Sequence, residues 1–424
     1  MNRLKTIGTW LLGIVMLGMA FWAFRLWMAE RIIKADPTIE GYTKALSWNP
    51  GSDEYHAILG DGYRNLLEGY DLDAAVRELK RAIELRPRVW THHATLAAAL
   101  EMKGDYTGAE ASFRNAQDLN PRNATLHWLA ANYFLRRNEP DKAMKAFRAA
   151  VDLDAGRLTF AADRMHAMGA TVEEIGEKLV PGNRSGLLFY LYFVLTQLED
   201  EPERADALAW RTWNRWTEAP AVGSFRVNSL FQYIRRLVRQ NEHDKALQVW
   251  RTGLREAGLG EPGTSIVSNG GFEIESLGGG FDWVMPKYEG VHYEYDRATH
   301  FQGSATLQIR FAGESNPAFR GPRQTVILPA ATYELTYVIK SEGITSDQGI
   351  YITIRSIADR RLLVESEKVQ GTQEWSRMKY RFRTEVPIAA ELEVVRDKSK
   401  KLDNLLGGKV WLDEIEIKAV EGLN

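Results

Sequence analysis

An interval of 34 residues repeats in the first half of the chain and restricts its fold more than any other feature. Three sets of residues recur at that interval: Ala75, Ala109 and Ala143; Leu79, Phe113 and Phe147; Ala82, Ala116 and Ala150. Offsets of four and three place each alanine–large–alanine group on one face of a helix, where alanine permits close approach. Pro87 and Pro121 repeat at the same distance and would end each helix. The spacing predicts stacked helical pairs, whereas an unrelated amphipathic bundle would not require it.

The same stretch resembles the tetratricopeptide repeat (TPR) family. The residues that match its 34-residue pattern are Gly104, Tyr106, Ala109, Phe113, Ala116 and Pro121. The resemblance implies a curved all-α solenoid whose concave groove binds a protein partner. We assign residues 31–260 to this solenoid, with the clearest repeats at 55–155 and degenerate helical pairs continuing to 260, where Ala246 and Trp250 close the last one.

The length, charge and lack of cysteine of the chain exclude several kinds of fold and function. Its 424 residues exceed one ordinary core, so we expect a multidomain protein. A formal charge of −2 argues against nucleic acid as a partner. The absence of cysteine excludes disulfides and thiolate chemistry.

The first 30 residues read as an N-terminal membrane anchor. Residues 7–24 are eighteen positions without a charge, close to the roughly 20 needed for a transmembrane helix. A cleaved signal peptide is the alternative, but bulky Trp22 and Trp27 occupy the region where cleavage would occur. We expect these tryptophans at the membrane interface and Arg25 snorkelling towards it. We place the protein in a bacterial inner membrane, single-pass, with most of the chain facing the periplasm.

Beyond a glycine- and proline-rich linker at residues 258–264, apolar residues recur at every second position, which is typical of strands. The alternating segments are residues 305–311, 333–339, 349–355, 378–383, 390–395 and 410–417. They predict an antiparallel β-sandwich over residues 264–424.

This region resembles the carbohydrate-binding, galactose-binding-like jelly rolls of bacterial glycoside hydrolases. The matching segments are residues 269–273, 281–283, 303–309, 333–337, Trp375 and 411–415. The resemblance implies glycan binding and a structural calcium. Its ligands would be the carboxylates of Glu273 and Asp413 and backbone carbonyl oxygens of the Gly303 loop, since calcium prefers oxygen ligands. Alternatively, Glu273 caps a turn and Asp413 begins a solvent-exposed segment.

Aromatic residues in two segments that we predict to be loops, 285–301 and 371–376, are the candidates for stacking on sugar rings. The predicted glycan-binding residues are Tyr288, Tyr293, Tyr295 and Trp375, with Arg297, Asp296 and Gln373 as polar neighbours. The alternative is that these rings only pack against the sandwich. Trp283 and Trp411 are expected to be structural.

Other conspicuous residues favour packing over chemistry. His56, His93 and His127 lie about one repeat apart, too far to share an ion, and Trp210, Trp213 and Trp216 form a stripe on one helix face. No nucleophile elbow, zinc helix or phosphate-binding loop is present, and the glycines at 278–280 have no following helix. We therefore expect a non-enzymatic scaffold in envelope polysaccharide synthesis or export. The alternative is an assembly protein whose sandwich makes protein contacts only.

Overall fold

The computed structural model of the chain describes residues 2–65, 70–220, 225–260, 265–402 and 404–420, with side chains from residue 10 onward. The chain divides into two compact units, residues 1–221 and 222–424. The first unit is helical where it is described, and the second combines two helices with two antiparallel sheets. The predicted fold class, a helical region with an apolar N-terminal helix followed by an all-β sandwich, is confirmed.

The first helix, α1, runs over Asn2–Ala35. Its segment Trp10–Ala35 is long and apolar enough to cross a membrane, the one such helix in the described part of the chain. At about 1.5 Å per residue, those 26 residues extend roughly 39 Å, compared with roughly 30 Å of bilayer hydrocarbon. The side chains of residues 10–24 are all exposed, as an anchor in lipid requires.

Arg25 connects this helix to the next one, α2 (Ile39–Trp48). Its Nε donates a hydrogen bond to the carbonyl oxygen of Trp48 at 2.8 Å, and the ring of Phe24 lies edge-on to the Trp48 ring at 6.0 Å. The guanidinium therefore satisfies a carbonyl at the end of α2, which has no partner within its own helix. This role differs from the snorkelling that we expected, and the last turns of α1 pack on α2, where Ala29 is fully buried.

Three helical pairs follow and carry the periodic residues. Their bounds are α3 (Asp53–Asn65) with α4 (Leu72–Leu85), α5 (Trp90–Lys103) with α6 (Tyr106–Leu119), and α7 (Ala124–Arg136) with α8 (Pro140–Leu153). All six periodic alanines are completely buried, as are Leu79 and Phe147, while Phe113 is 4% exposed. The predicted repeat register is confirmed, because the small–large–small faces form the seams between helices.

Local signals explain where these helices begin and end. Gly104 closes α5 in the left-handed conformation, with φ of 87°, which glycine adopts without steric cost. Asp105 then caps α6 by accepting a hydrogen bond from the backbone N–H of Gly108 at 2.9 Å. Asn123 caps α7 in the same way. The turn between paired helices is therefore short, which holds them antiparallel.

The remaining helices of the first unit are α9 (Leu158–Ala167), α10 (Val172–Glu174), α11 (Arg184–Gln197) and α12 (Pro202–Glu218), with a π-helical turn at Ile175–Leu179. On α12, Trp213 and Trp216 are buried and stack at 4.9 Å between ring centroids. The tryptophan stripe is thus a packing surface, in agreement with the sequence-based interpretation.

The described part of the second unit contains the helices α13 (Phe231–Arg239) and α14 (His243–Glu256) and nine strands. The strands are β1 (Val291–Asp296), β2 (Thr306–Ala312), β3 (Phe319–Leu328), β4 (Ala331–Ile344), β5 (Tyr351–Ser356), β6 (Leu362–Glu365), β7 (Gly371–Thr384), β8 (Ile388–Arg396) and β9 (Gly407–Val420). They form a five-stranded sheet in the order β1-β2-β9-β4-β7 and a four-stranded sheet in the order β3-β8-β5-β6. The inward side chains of both sheets share one apolar core.

All six predicted strands are present, but β1, β3 and β6 were not predicted. In β3, Gly321 and Pro322 interrupt the alternation where the pairing with β8 shifts register. The loops predicted at 285–301 and 371–376 are wrong in part, because the first contains β1 and the second is the start of β7. The predicted linker residues 261–264 lie outside the described residues, and α13 and α14 belong to the second compact unit.

Candidate functional site

A groove along the helical repeats of the first unit is a candidate site. It is lined mainly by the first helix of each repeat and has a volume of about 500 Å³. The lining side chains are Arg64 from α3; Ala94, Ala98, Glu101 and Met102 from α5; Tyr106 and Phe113 from α6; Leu129 and Arg136 from α7; and Arg137 at its end. We call this surface the repeat groove.

The repeat groove has apolar walls that no other described part of the chain covers. Met102 and Leu129 are 47% and 42% exposed, and Tyr106 is 41% exposed. Ala94 and Ala98 on α5 leave space between them because their side chains are small. A groove of this volume, with small residues between exposed apolar ones, can hold side chains of a bound segment.

The charge in the repeat groove is predominantly positive. Arg136 binds the carboxylate of Glu101 through two hydrogen bonds of 2.6 and 2.8 Å. The guanidinium of Arg137 lies 3.7 Å from the ring centroid of Tyr106, a cation–π contact. The Nε of Arg137 is buried and has no hydrogen-bond partner among the described residues. Arg64 forms an ion pair with Asp61 and Arg136 with Glu101, so Arg137 is the uncompensated cation among the described groove residues and favours an acidic ligand.

In the second unit, the three tyrosines predicted to bind sugar pack against the sandwich core. The hydroxyl of Tyr288 donates to the carbonyl oxygen of Arg320 at 3.1 Å. The hydroxyl of Tyr295 accepts from the backbone N–H of Ser276 at 2.8 Å. Tyr293 lies beside Phe319, and burial raises the pKa of its hydroxyl. These contacts match the alternative that the rings only pack against the sandwich. The alternation of side chains along β1 would have indicated this packing if β1 had been predicted as a strand.

The predicted polar neighbours do not form one site around these rings. Asp296 accepts hydrogen bonds from Trp411 Nε1 at 2.8 Å and Gln308 Nε2 at 3.0 Å, so it organises the outer face of the five-stranded sheet. Arg297 is exposed just after β1, and Gln373 pairs with Ser341 near the start of β7.

Trp375 is the one predicted ring that lies in a surface group. It contacts Phe301 edge-on at 5.8 Å, and the guanidinium of Arg377 lies 5.5 Å from the Phe301 ring centroid. Phe301 is 43% exposed. Arg377 also forms an ion pair with Glu414. The sequence analysis did not include Phe301 or Arg377, since neither belongs to a recognisable motif.

Glu273 and Asp413, the predicted calcium ligands, line one cavity of about 670 Å³. Both carboxylates already accept hydrogen bonds from the loop at 301–304. Glu273 binds the backbone N–H of Ser304 at 3.0 Å and its hydroxyl at 2.6 Å. Asp413, which is fully buried, accepts from the backbone N–H groups of Phe301 and Gln302 at 3.0 and 3.2 Å. These contacts fasten the loop to the outer face of the sheet.

The pKa shifts of the two carboxyls are opposite. Hydrogen bonds from Ser304 lower the pKa of Glu273, whereas desolvation raises that of Asp413. Gly303 has a φ of 74°, which residues with a side chain rarely adopt, and a Cβ there would displace the Glu273 carboxylate, because it would lie 1.7 Å from Oε1.

The two carboxylates alone do not complete a calcium site. The ion takes six to eight oxygen ligands, and since the described residues contain no group of three acidic or histidine side chains suited to a metal, backbone carbonyl oxygens would have to supply most of the others. The cavity is also lined by Arg377, a cation. The carboxylates have a sufficient role as acceptors for backbone N–H groups, and structural calcium stays a prediction from resemblance.

Comparison with known proteins supports the helical assignment. A sequence model described as a tetratricopeptide repeat matches residues 64–119 and 95–157. No curated protein matches the chain.

Solved structures give weaker likenesses. The structure titled "Crystal structure of MamA protein" is 19% identical, covering 43% of this chain and 94% of that one, with a TM-score of 0.31. MamA from Desulfovibrio magneticus RS-1 is 17% identical over 35% of this chain and 83% of its own, with a TM-score of 0.30. A xylan-binding domain, CBM22-1 of Paenibacillus barcinonensis Xyn10C, is 17% identical over 32% and 85%, with a TM-score of 0.24. Similarity this low supports no conclusion about function. The family match and the buried repeat register together show tetratricopeptide-type repeats over residues 64–157, a kind of fold that binds other proteins in general.

Proposed function

We propose that this protein is a non-enzymatic, membrane-anchored scaffold that binds a segment of a partner protein in its repeat groove. The observation that carries the proposal is the groove itself, which combines exposed apolar side chains with three arginines and one glutamate. Tetratricopeptide-type solenoids present such concave surfaces because each repeat adds one helix to the same face.

The chemistry of the repeat groove specifies the partner segment. Met102 and Leu129 offer apolar contact, and Arg137 attracts a carboxylate. A partner segment with apolar side chains next to Asp or Glu therefore complements the groove, and a basic segment is repelled.

A peptide array tests this proposal with the full chain in detergent. Peptides that combine acidic and apolar residues should be retained, and matched peptides with Lys in place of the acidic residues should not. Met102→Gln should weaken the retained signal about tenfold or more, since it replaces an apolar contact of the ligand with a neutral polar amide. Met168→Gln is the matched control, because Met168 is 40% exposed and does not line the groove. Equal retention of both peptide classes would refute the proposed specificity.

The proposed location is a bacterial inner membrane, with α1 as the anchor and the rest of the chain in the periplasm. The exposed apolar surface of residues 10–24 supports the anchor. Alkaline phosphatase fused after Asn424 should be active, because that enzyme matures only after export. Fluorescence of a reporter that folds only in the cytoplasm, fused at the same place, would reverse the assigned orientation.

We also propose that the second unit binds a glycan, and that the protein serves envelope polysaccharide synthesis or export. Its antiparallel sandwich is an architecture used for sugar binding and for protein contacts alike, so fold by itself supports the proposal only broadly. A glycan array probed with the full chain separates the two. If the chain retains no glycan, the competing function stands, namely an assembly protein whose sandwich makes protein contacts only.

A further inference from the structure

A cleft in the second unit lies between α13 and the outer face of the four-stranded sheet. Its volume is about 500 Å³, within the roughly 300–1,000 Å³ typical of small-ligand sites. One wall is α13, the other is formed by β3, β8 and the turn after β5, and the floor is the glycine segment at 278–280. We call it the arginine cleft, after its arginines: Arg235 and Arg239 on α13, Arg320 and Arg323 on β3, and Arg360 in the turn.

The walls of the arginine cleft are fixed by close packing. A Cβ on Gly279 would lie 2.4 Å from the Phe231 ring, and one on Gly280 would lie 2.5 Å from the Trp250 ring. Trp250 also contacts Phe281 at 6.3 Å between ring centroids. The helical pair therefore rests directly on this glycine segment, which only residues without a side chain allow. The cleft is formed before any ligand arrives, which reduces the entropic cost of binding.

Cations outnumber carboxylates in the arginine cleft. On the sheet wall, Arg320 lies 3.3 Å from Glu393, and Arg323 and Arg360 lie 3.9 and 3.5 Å from Glu391. On the helical wall, Arg235 and Arg239 are exposed and have no ion-pair partner among the described residues. Five arginines and three carboxylates, with Asp282 as the third, leave two uncompensated positive charges facing the cleft.

The cleft also offers groups that bind hydroxyls and sugar C–H surfaces. Glu393 is 3% exposed. Its pKa is raised, mainly by burial and secondly by repulsion from Glu391. Its carboxyl and the hydroxyl of Thr325 can serve a ligand's hydroxyl groups. Phe231 and Val238 supply apolar surface next to the arginines.

We propose that the arginine cleft binds an acidic saccharide, a sugar carboxylate pairing with Arg235 and Arg239 while its hydroxyls bond to the acceptors of the sheet wall. The planar guanidinium matches a carboxylate with two parallel hydrogen bonds. A phosphate ion alone would place its negative charge against the glutamate carboxylates of the sheet wall. The hydroxyl groups of a sugar ring can instead donate hydrogen bonds to those carboxylates. This inference rests on the proposed glycan function of the unit and names the class of glycan and the place where it binds.

Titration calorimetry on the full chain in detergent tests the site, with hexagalacturonate as the acidic probe and a neutral galactose hexasaccharide as its partner. The acidic probe should bind and the neutral one should not, and the affinity should fall as salt rises. The double variant Arg235→Gln/Arg239→Gln should lose about tenfold or more in affinity, because it removes two charged hydrogen-bond donors. Arg251→Gln/Arg255→Gln is the matched control, with the same charge loss and spacing on α14 but outside the cleft.

Each other outcome overturns the proposal. Equal losses in the two double variants would mean that general charge, not the cleft, attracts the probe. Competition by poly-glutamate as strong as that by hexagalacturonate would assign the cleft to acidic peptides. A glycan array could show that the chain retains neutral sugars and that the Arg235→Gln/Arg239→Gln variant retains them equally well. In that case the unit binds glycans, but the arginine cleft is not the binding site. If no sugar binds at all, both proposals fail together.

Discussion

His93 Nε2 donates a hydrogen bond to the carbonyl oxygen of Pro87 at 2.9 Å. The same relationship, six residues apart, joins His127 to Pro121 at 2.9 Å and His56 to Pro50 at 3.2 Å. Each proline carbonyl faces a turn between repeats, where the backbone has no helical partner. A histidine in the first helix of the next repeat therefore fastens that turn, which explains their repeat spacing without a metal ion.

Replacing His93 with Ala should destabilise the helical unit by about 1–3 kcal/mol, because it removes the hydrogen bond to the Pro87 carbonyl and the packing of the buried His93 ring. The midpoint of thermal unfolding, followed by circular dichroism, measures this change. His292→Ala is the control, since His292 is exposed on β1. An equal midpoint for the two variants would contradict the structural role of His93.

Replacing Ala116 with Leu should destabilise the repeats by about 1–3 kcal/mol through overpacking. Ala116 is completely buried in a cluster with Ala94 and Leu126. Ala111→Leu on the same helix is the matched control, because Ala111 is exposed and has room for the larger side chain. Chemical denaturation of both variants gives the comparison, and a tolerated Ala116→Leu would refute the assigned register.

Tyr293→Ala should lower the stability of the sandwich by about 3 kcal/mol, the cost of emptying a site in an aromatic core. Trp375→Ala should cost less, because Trp375 lies on the surface beside exposed Phe301. Denaturation of the two variants, together with their glycan retention, separates packing from ligand contact. A Tyr293→Ala protein with unchanged stability and lost retention would restore the original sugar-binding assignment.

Glu273 should contribute pH-dependent stability to the sandwich. Its pKa is lower in the folded protein than the ordinary value of 4.5, chiefly through hydrogen bonds from Ser304. The ionised form is thus favoured by folding, so the stabilisation is complete above the unfolded pKa and is lost as pH falls through the folded one. Thermal unfolding between about pH 3 and 6 should show a smaller acid-induced loss in Glu273→Gln than in the original protein.

Two controls accompany that measurement. Glu275→Gln removes an exposed carboxylate two residues away and should leave the acid profile unchanged. We expect calcium and chelator to give the same unfolding midpoint, because backbone N–H groups already occupy the acceptors of Glu273 and Asp413. A clear rise in the midpoint with calcium would instead establish the metal site implied by the jelly-roll resemblance.

The sequence determined the helical repeats because their pattern is local. Alanine and a large residue at offsets of three and four specify one helix face, and Pro87 and Pro121 specify its end. Strict alternation likewise specified six of the strands. The apolar segment in α1 needed only composition and length. Each of these signals lies within a single element, so no knowledge of distant partners was required.

Only the tertiary structure decided which residues come together in a candidate site. The arginines of α13 and β3 are far apart in sequence, and only the packing of α13 on the glycine segment brings them into one cleft. Arg396 shows the same dependence: it is 1% exposed and donates to Asn316, Ser346 and backbone carbonyls of three separate segments. Predicting such a site requires knowing which strands pair. Strand pairing depends on contacts between residues that are distant in the sequence, and these contacts leave no local pattern in it.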